Sequence, residues 1–250
     1  MGSPVATFDS SKQPNSPCAV HVAGKNHLLE LLPAEEHVRL LKSIERFSAE
    51  RKHVVFNRRQ PIEFVHFPLA SVVSLVSNME NGDLAEVATV GNEGLVGIPL
   101  ALGVHQDPHD AFYQIPGETL RMPAAVFIAE MEQRGPLEAI VQRYTQAFCS
   151  QIARSAACNL LHPVEQRLCR WILMCHDRVG PQPIRLTQEF IAQMLGVRRP
   201  TVTLVASVLQ KAGFIRYKRG SIEVLDRPGL EEACCDCYLF VRREFEHLLC

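Results

Sequence analysis

Residues 186–206 constrain the fold more than any other segment, because they meet the separate demands of two helices that cross steeply through a tight turn. Ala192 is small where the second helix must pass over the first, and Gly196 tolerates the positive φ of the turn. Thr187 can cap the first helix, and Pro200 suits the first turn of the second. Apolar residues occupy the wedge between the helices, namely Ile191, Leu195, Val197, Val202 and Val205. The segment predicts a helix-turn-helix, the alternative being an ordinary helical hairpin inside a core.

A β-hairpin is predicted directly after this motif. Residues 214–218 and 222–224 alternate apolar and polar side chains, and Arg219-Gly220 between them favours a turn. The whole chain has a formal net charge of only −1, yet residues 196–227 hold seven cations against Glu223 and Asp226. The cations are Arg198, Arg199, Lys211, Arg216, Lys218, Arg219 and Arg227. Such a local excess attracts phosphates, so we read the hairpin as a wing and double-stranded DNA as the partner.

The chain divides into regions that differ in residue composition and in hydrophobic periodicity. Residues 1–26, rich in Ser, Pro and Gly, indicate a flexible tail, and Pro33 then marks a helix start in a short helical entry. Residues 27–132 predict a β-roll sensor domain, residues 133–161 a dimerisation helix, and residues 162–250 a winged helix-turn-helix domain with a C-terminal helix. The predicted fold class is therefore α+β, with an antiparallel barrel or jelly roll first. Its β-rich runs are residues 53–56, 62–67, 72–76, 84–90 and 111–115.

Residues 135–161 predict one long amphipathic helix. Its apolar stripe recurs every three or four residues and consists of Leu137, Val141, Tyr144, Phe148, Ile152 and Ala156. Such a stripe can pack on the chain's own β domain or join two subunits. The helix-turn-helix that follows favours the second interpretation, so we expect a homodimer with this stripe at its interface.

With these features the chain resembles the Crp/Fnr family, the cyclic-AMP receptor protein and its relatives, over residues 27–230. The resemblance rests on Phe67-Pro68, Gly82-Asp83 and residues 91–97 of the roll, on the long helix, on residues 162–168, and most specifically on residues 186–225. It implies a homodimer joined along the long helix and a cupin-like roll that senses an effector. It also implies two recognition helices that enter successive major grooves of an inverted-repeat site, and RNA polymerase as a further partner.

Three departures from the family pattern bear on the effector and the operator. Nucleotide-responsive members of the family carry a Glu just after a glycine of the roll, whereas here Leu95 follows Gly94 and Ile98 follows Gly97. In addition, residues 60–120 contain eight acidic residues and no Lys or Arg. Burying a phosphate there without a cation is costly, so the small-molecule effector is predicted not to be cyclic AMP. Only Cys18 lies in the first 148 residues, which excludes an N-terminal iron–sulfur cluster. Pro200 and Leu204 replace polar residues of the family's reading helix, so the preferred bases should differ.

The start of the second helix is predicted to contact DNA. Arg199 is assigned to a base edge, and Arg198 to a base or a phosphate. Lys218 and Arg219 on the wing are assigned to phosphates. The remaining predicted DNA-binding positions are Thr187, Gln188, Pro200, Thr201 and Thr203.

The C-terminal cysteines indicate metal binding or redox sensing only weakly. Cys234, Cys235 and Cys237, with His247 and Cys250 further on, lack the paired spacing of common zinc motifs. We therefore expect them to pack inward on a C-terminal helix running from Leu230 through Phe245, and we predict no metal and no cofactor. Buried reduced thiols are also expected at Cys149, Cys158, Cys169 and Cys175. His105 and His109 flank Asp107 in a predicted loop; the pattern allows an effector metal there, but a solvated loop is the favoured interpretation.

Two other classes of function compete with a regulator. A cupin-type metal-dependent enzyme would need several histidines on adjacent strands, and the predicted strands offer only His53 and His66. A ligand-binding protein whose helical domain contacts protein would not need the basic wing. The sequence shows no signal peptide and no apolar run of the ~20 residues that cross a bilayer, so no membrane partner and a cytoplasmic location are expected.

Overall fold

The computed structural model describes residues 24–249. Residues 1–23, most of the predicted tail, lie outside that range, as does Cys250. Within it, none of the helices combines the length and the apolar character needed to cross a membrane. The helices are α1 His27–Glu30, α2 Ala34–Leu41, α3 Ile98–Ala101, α4 Ala124–Glu132, α5 Pro136–Leu161, α6 Val164–Val179, α7 Gln188–Leu195, α8 Arg199–Lys211, α9 Arg227–Glu232 and α10 Cys237–Leu249. Pro33 stands at the N-cap of α2, as predicted.

The first domain is an antiparallel β-roll of two sheets, which confirms the predicted α+β class. One sheet has the order β1-β7-β3 and the other β2-β6-β4-β5. The strands are β1 Glu45–Ala49, β2 Val54–Phe56, β3 Phe64–Pro68, β4 Val72–Asn78, β5 Leu84–Val90, β6 Asp110–Ile115 and β7 Gly117–Pro123. All five predicted runs are strands, whereas β1 and β7 were not predicted. Both carry charged residues, and Glu45 of β1 pairs directly with Arg121 of β7.

The long helix α5 begins one residue after its predicted start and packs against the roll of its own chain. Leu137, Val141 and Tyr144 are at most 1% exposed, and Phe148 is 8% exposed. All four belong to the same apolar core as the roll. Their predicted place at a dimer interface is therefore wrong, because burial inside the protomer leaves them no surface for a partner. Ile152 is half-buried, and its place at the interface stays a prediction.

A second core joins the C-terminal helices to one face of the roll. Val72, Val76 and Ile115 of the roll share this core with α6, α7 and α8. The rings of Phe112 and Phe190 meet edge to face, with centroids 6.1 Å apart. The helix-turn-helix region therefore rests on the roll through α7.

Two buried polar contacts cross between α6 and the roll. Arg178 binds the Glu93 carboxylate with Nη2 at 2.6 Å from Oε1 and Nε at 3.0 Å from Oε2, and both side chains are less than 10% exposed. The aliphatic part of Arg178 lies against Gly91, where a Cβ would stand 2.4 Å from it. Trp171 Nε1 donates a hydrogen bond of 3.1 Å to Glu86 Oε1. These contacts fix the orientation of α6 on the roll.

The C-terminal segment forms two helices, so the prediction of one helix from Leu230 through Phe245 is wrong. Asp226 caps α9 by accepting a hydrogen bond from Gly229 N, and Pro228 follows in its first turn. The chain then leaves helical geometry after Glu232 and resumes it at Cys237. The second piece, α10, packs against α5, with the rings of Tyr144 and Phe245 6.1 Å apart.

Candidate DNA-binding surface

Helix α7 begins where the sequence places a cap. Thr187 has extended backbone geometry, and its Oγ1 accepts a hydrogen bond of 3.2 Å from Phe190 N. This bond satisfies one of the amide groups that the first turn leaves without an intrahelical partner. Glu189 and Gln193 stay exposed, while Ile191, Ala192 and Leu195 are buried. The helix thus keeps one face for the core and one for solvent.

The turn between α7 and α8 depends on Gly196. It ends α7 in the left-handed region, with φ 63° and ψ 38°. A β-carbon is strained in that conformation, which is why glycine is favoured at such a cap. Arg198 is the N-cap residue of α8, and Pro200 lies in its first turn, where its missing N–H removes no helical hydrogen bond.

The wing follows α8 as two short strands, β9 Ile215–Lys218 and β10 Ser221–Val224. Arg219 and Gly220 connect them with φ of 51° and 74°, the geometry of a tight type I′ hairpin. A third strand that sequence reasoning missed, β8 Ile184–Arg185, pairs with β10. Two residues give too little periodicity to reveal a strand, and the signal in hindsight is the burial of Ile184 beside charged Arg185.

The predicted DNA-binding side chains come together on one exposed surface. Arg198, Arg199, Pro200 and Thr203 are exposed at the start of α8, and Lys218 and Arg219 are exposed on the wing; Thr201 and Gln188 are half-buried. A groove between α7, the start of α8 and the wing turn is lined by Thr187, Gln188, Arg199, Tyr217 and Arg219, among others. Two cations, Arg199 and Arg219, and the polar side chains of Thr187, Gln188 and Tyr217 thus line one concave surface of a kind that suits a phosphate backbone.

Two contacts hold this surface in shape. The Thr203 hydroxyl lies 2.7 Å from Gln188 Oε1 and 3.1 Å from the Arg199 carbonyl, which ties α8 to α7. The Tyr217 hydroxyl donates a hydrogen bond of 2.9 Å to the Leu186 carbonyl, which ties the wing to the entry of α7. Burial raises the pKa of Tyr217, so this hydroxyl stays protonated as the donor.

The seven cations of this region are not equivalent. Arg216 pairs with Glu223 on the wing at 2.7 Å, and Arg227 is held by Asp177 at 2.7 Å and by Glu231 at 2.8 Å. Arg199 has only a loose contact of 4.0 Å with exposed Glu189. Of the other five cations, four lie at the start of α8 and at the wing turn, and exposed Lys211 lies at the end of α8.

The predicted core of the motif is present. Ile191, Ala192, Leu195 and Val202 are at most 4% exposed, and Val197 and Val205 pack against the same core while half-buried. The glycine, the caps and the wedge residues thus occupy the places that the sequence pattern assigns to them.

The strand histidines do not form a metal centre. His66 is buried, its Nδ1 lies 2.8 Å from the Tyr113 hydroxyl, and burial lowers its pKa to about 3. His109 lies in the loop before β6 with Nδ1 2.8 Å from Asp107 Oδ1. Within residues 24–249, the one group of three or more side chains placed to share a metal lies at the end of α5. The cupin-type alternative therefore finds no support in the roll.

Comparison with known proteins agrees with this geometry. Residues 166–233 match the family model of the Crp-like helix-turn-helix domain. The transcriptional regulator SdrP of Thermus thermophilus is 36% identical over 59 residues, which is 24% of this chain and 29% of that protein. The CRP-family regulator TTHB099 of Thermus thermophilus superposes with a TM-score of 0.60 at 18% identity, covering 76% of this chain and 95% of that chain. FixK2 of Bradyrhizobium japonicum gives 0.59 at 17% identity, covering 77% and 98%.

Proposed function

Because residues 166–233 form a Crp-like helix-turn-helix domain in a chain with the Crp/Fnr fold, we propose that the protein is a dimeric, sequence-specific transcription regulator that binds an inverted-repeat DNA site. One observation carries the proposal: exposed Arg199 at the start of α8 and exposed Arg219 of the wing turn line the same groove, and exposed Arg198 and Lys218 adjoin them in the chain. An α-helix start of this kind enters the major groove, while a basic wing follows the backbone. The two half-sites are about 10–10.5 base pairs apart, one helical turn of DNA.

We assign the base contact to Arg199 and a phosphate contact to Lys218, and alanine variants of the two residues distinguish these roles. Arg199→Ala should broaden the selected sequence at one symmetric position per half-site and cost about 1–3 kcal/mol of binding free energy, the value of a bidentate arginine–guanine pair. Lys218→Ala should lower affinity for all sequences alike and reduce the slope of log affinity against log salt by about one unit per contact. Site selection from random DNA, followed by salt titrations, measures both effects.

Arg46→Ala is the matched control for charge, because Arg46 is an exposed arginine of the roll far along the chain from α8 and the wing. It should change neither the selected sequence nor the salt slope. The roles of helix and wing are reversed if Arg199→Ala keeps full base preference while Lys218→Ala loses it. If both Arg199→Ala and Lys218→Ala keep full specific binding, the proposed DNA-binding surface is wrong.

The outer face of α5 is the proposed subunit interface. Its exposed residues follow the alternating four-and-three spacing of a coiled-coil seam, namely Gln142, Gln146, Cys149, Ala153, Ala156 and Leu160. Alanine lets two helices approach closely, and Leu160 is 84% exposed in the single chain. We propose that a second copy covers this face, around a two-fold axis parallel to α5. The proposed dimer is therefore the predicted one, but of the predicted stripe only Ala156 is among these seam residues.

Cys149 gives this interface a direct test. The structure leaves it exposed, which corrects the expectation that it is buried. In a two-fold dimer seam it faces its counterpart, within the about 4.4–6.8 Å between Cα atoms that a disulfide spans. Mild oxidation should therefore convert most of the protein to a covalent dimer on a non-reducing gel, and Cys149→Ser should abolish that band.

Cys175→Ser is the control for the cross-linking experiment, since Cys175 is buried in the second core and should not affect the band. A covalent dimer that persists in Cys149→Ser would place the interface elsewhere. A monomer in sedimentation of the wild-type protein bound to a single half-site would contradict the dimer itself.

The proposed effector site is a cavity of about 300 Å³ between the roll and α5. Val87, Leu95, Ile98 and Phe148 give it mostly apolar walls, and none of the described residues that line it is Lys or Arg. The buried guanidinium of Arg178 does not line the cavity and is paired with Glu93. These features support an uncharged, largely apolar effector and do not support cyclic AMP, whose phosphate needs a cation or several amide donors.

A further inference from the structure

Four potential metal ligands meet where the end of α5 approaches the start of α10. Cys158 and His162 are four residues apart and so lie on one face at the end of α5. Cys235 and Cys237 come from the junction between α9 and α10. The three sulfur atoms and a ring nitrogen all lie within 4.8 Å of one another. Two pairs of residues, far apart in sequence, thus converge on one point.

The spacing of these atoms suits a tetrahedral centre. Zn–S bonds of about 2.3 Å and Zn–N bonds of about 2.0–2.1 Å place neighbouring ligand atoms of a tetrahedron roughly 3.5–3.8 Å apart. Cys158 Sγ lies 3.6 Å from Cys235 Sγ, and Cys237 Sγ lies 3.5 Å from His162 Nδ1. Both separations match edges of such a tetrahedron, and both exceed the about 2.05 Å of a disulfide bond.

The surroundings differ from those of cysteines that only fill space. Cys169 and Cys175 lie inside the large second core, among aliphatic and aromatic side chains. Cys158, Cys235 and Cys237 instead form a separate buried cluster with half-buried Cys234 at its edge. A polar imidazole faces that cluster. A small core made of thiols and one imidazole buries little hydrocarbon, so apolar packing does not explain the arrangement.

Charged side chains around the cluster suit a bound cation with thiolate ligands. His162 Nε2 lies 3.8 Å from Asp236 Oδ1, so the nitrogen opposite Nδ1 faces a carboxylate, as is common behind metal-bound histidines. Arg154 pairs with Asp236 and lies near Cys237, and Arg170 lies near Cys158. Three thiolates and one Zn²⁺ leave one negative charge, and this charge together with that of the Asp236 carboxylate is balanced by the two arginines.

We propose that Cys158, His162, Cys235 and Cys237 bind one Zn²⁺ ion per chain as a closed Cys₃His site. With four protein ligands the site has no open position, which is the pattern of structural rather than catalytic zinc. The ion joins the end of α5 to the start of α10, next to the point where the chain passes from α5 into α6. It therefore fixes the helix-turn-helix region relative to α5. This inference does not depend on the proposed DNA specificity.

Metal analysis of the full-length protein tests the site. Protein purified under reducing conditions with zinc present should hold one Zn²⁺ per chain, and Co²⁺ in its place should show the visible bands of a tetrahedral thiolate complex. Cys235→Ser and His162→Asn should lose the bound metal. Asp236→Asn, which leaves all four ligands, should weaken zinc affinity by about 10–100-fold. Cys234→Ser is the matched control and should keep the metal, since Cys234 Sγ is directed to the Gln166 carbonyl at 3.8 Å.

Several results would overturn the proposal. A wild-type chain that binds neither Zn²⁺ nor Co²⁺ after reduction, or whose mass under reducing purification reveals a Cys158–Cys235 disulfide, has no such site. Retention of the metal in Cys235→Ser, or its loss in Cys234→Ser, would show that the ligand set is wrong. If a ligand variant fails to fold, the Co²⁺ spectrum of the wild-type protein still decides, because tetrahedral bands with thiolate charge transfer require several thiolates around one ion, and within residues 24–249 this cluster is the one that brings them together.

Discussion

Replacing Arg178 with methionine should lower the free energy of unfolding by about 3–5 kcal/mol, the usual cost of leaving one member of a buried ion pair without its partner. Arg178 is 5% exposed and Glu93 6%. The guanidinium also donates to Thr89 Oγ1 and to the Thr89 carbonyl at 3.1 Å. Methionine has a similar length but offers no donor, so Glu93 and the Thr89 carbonyl would both be left buried without this partner. Urea unfolding at neutral pH, followed by circular dichroism, measures the loss.

Arg216→Met is the matched control for this experiment. It breaks the pair between Arg216 and Glu223, whose side chains are 59% and 42% exposed, and such surface pairs contribute about 0–1 kcal/mol. The double variant Arg178→Met with Glu93→Gln should recover part of the loss, because it removes the unpaired buried charge. Equal destabilisation by Arg178→Met and Arg216→Met would show that the buried pair is no more important than an exposed one.

The ion pair explains how the roll tolerates part of its acidic excess. The sequence has no Lys or Arg in residues 60–120, and Glu93 lies in the middle of that span. Its cation comes from α6, 85 positions later in the chain. Gly91 is required beside it, because a Cβ there would collide with the Arg178 side chain. The same contact that stabilises the roll therefore also docks the helix-turn-helix region on it.

Local patterns were sufficient to predict the helix-turn-helix, the wing and most of the strands. Thr187 caps the start of α7, Gly196 ends α7 in the left-handed region, and Pro200 lies in the first turn of α8. Each role depends on local backbone geometry, so it could be predicted from the neighbouring residues alone. Helix α5 was also predictable, because its apolar period continues for twenty residues, from Leu137 to Ala156. The charged strands β1 and β7 lacked a comparable pattern.

Contacts between distant segments could not be read from the sequence. Periodicity identified the apolar stripe of α5 but not the element that covers it, and the structure shows that Tyr144 packs inside the roll while Cys149 faces outward. The cysteine cluster was missed for a similar reason. Cys235 and Cys237 have an uncommon spacing for zinc, and the second pair of ligands, Cys158 and His162, lies far upstream in another helix.

Glu86 should make the stability of the protein depend on pH between about 4.5 and 7. Although the residue keeps some exposed surface, its carboxylate is enclosed between Ser74, 2.7 Å away, and the indole of Trp171, and this burial raises its pKa to about 7. Arg178 and Arg170 oppose the shift without cancelling it. At this carboxyl the folded state then binds more protons than the unfolded state, so the contribution of Glu86 to the free energy of unfolding falls as the pH rises through the window. The lowered pKa of buried His66 acts in the opposite direction below about pH 6.5, so the Glu86 contribution is read from the difference between the wild type and a Glu86 variant. A shift from 4.5 to about 7 corresponds to up to about 3 kcal/mol.

Glu86→Gln isolates this contribution, because glutamine can still accept from Trp171 and interact with Ser74 but carries no charge at any pH. The variant and the wild-type protein should have equal stability near pH 4, and the variant should become more stable by up to about 3 kcal/mol near pH 8. Glu80→Gln removes an exposed carboxylate from the turn between β4 and β5 and should leave the pH profile unchanged. Urea unfolding of the three proteins at intervals from pH 4 to 8 gives the curves. Parallel curves for Glu86→Gln and the wild type would show that Glu86 is ionised throughout, and that the contact between Trp171 and the roll holds a charged carboxylate.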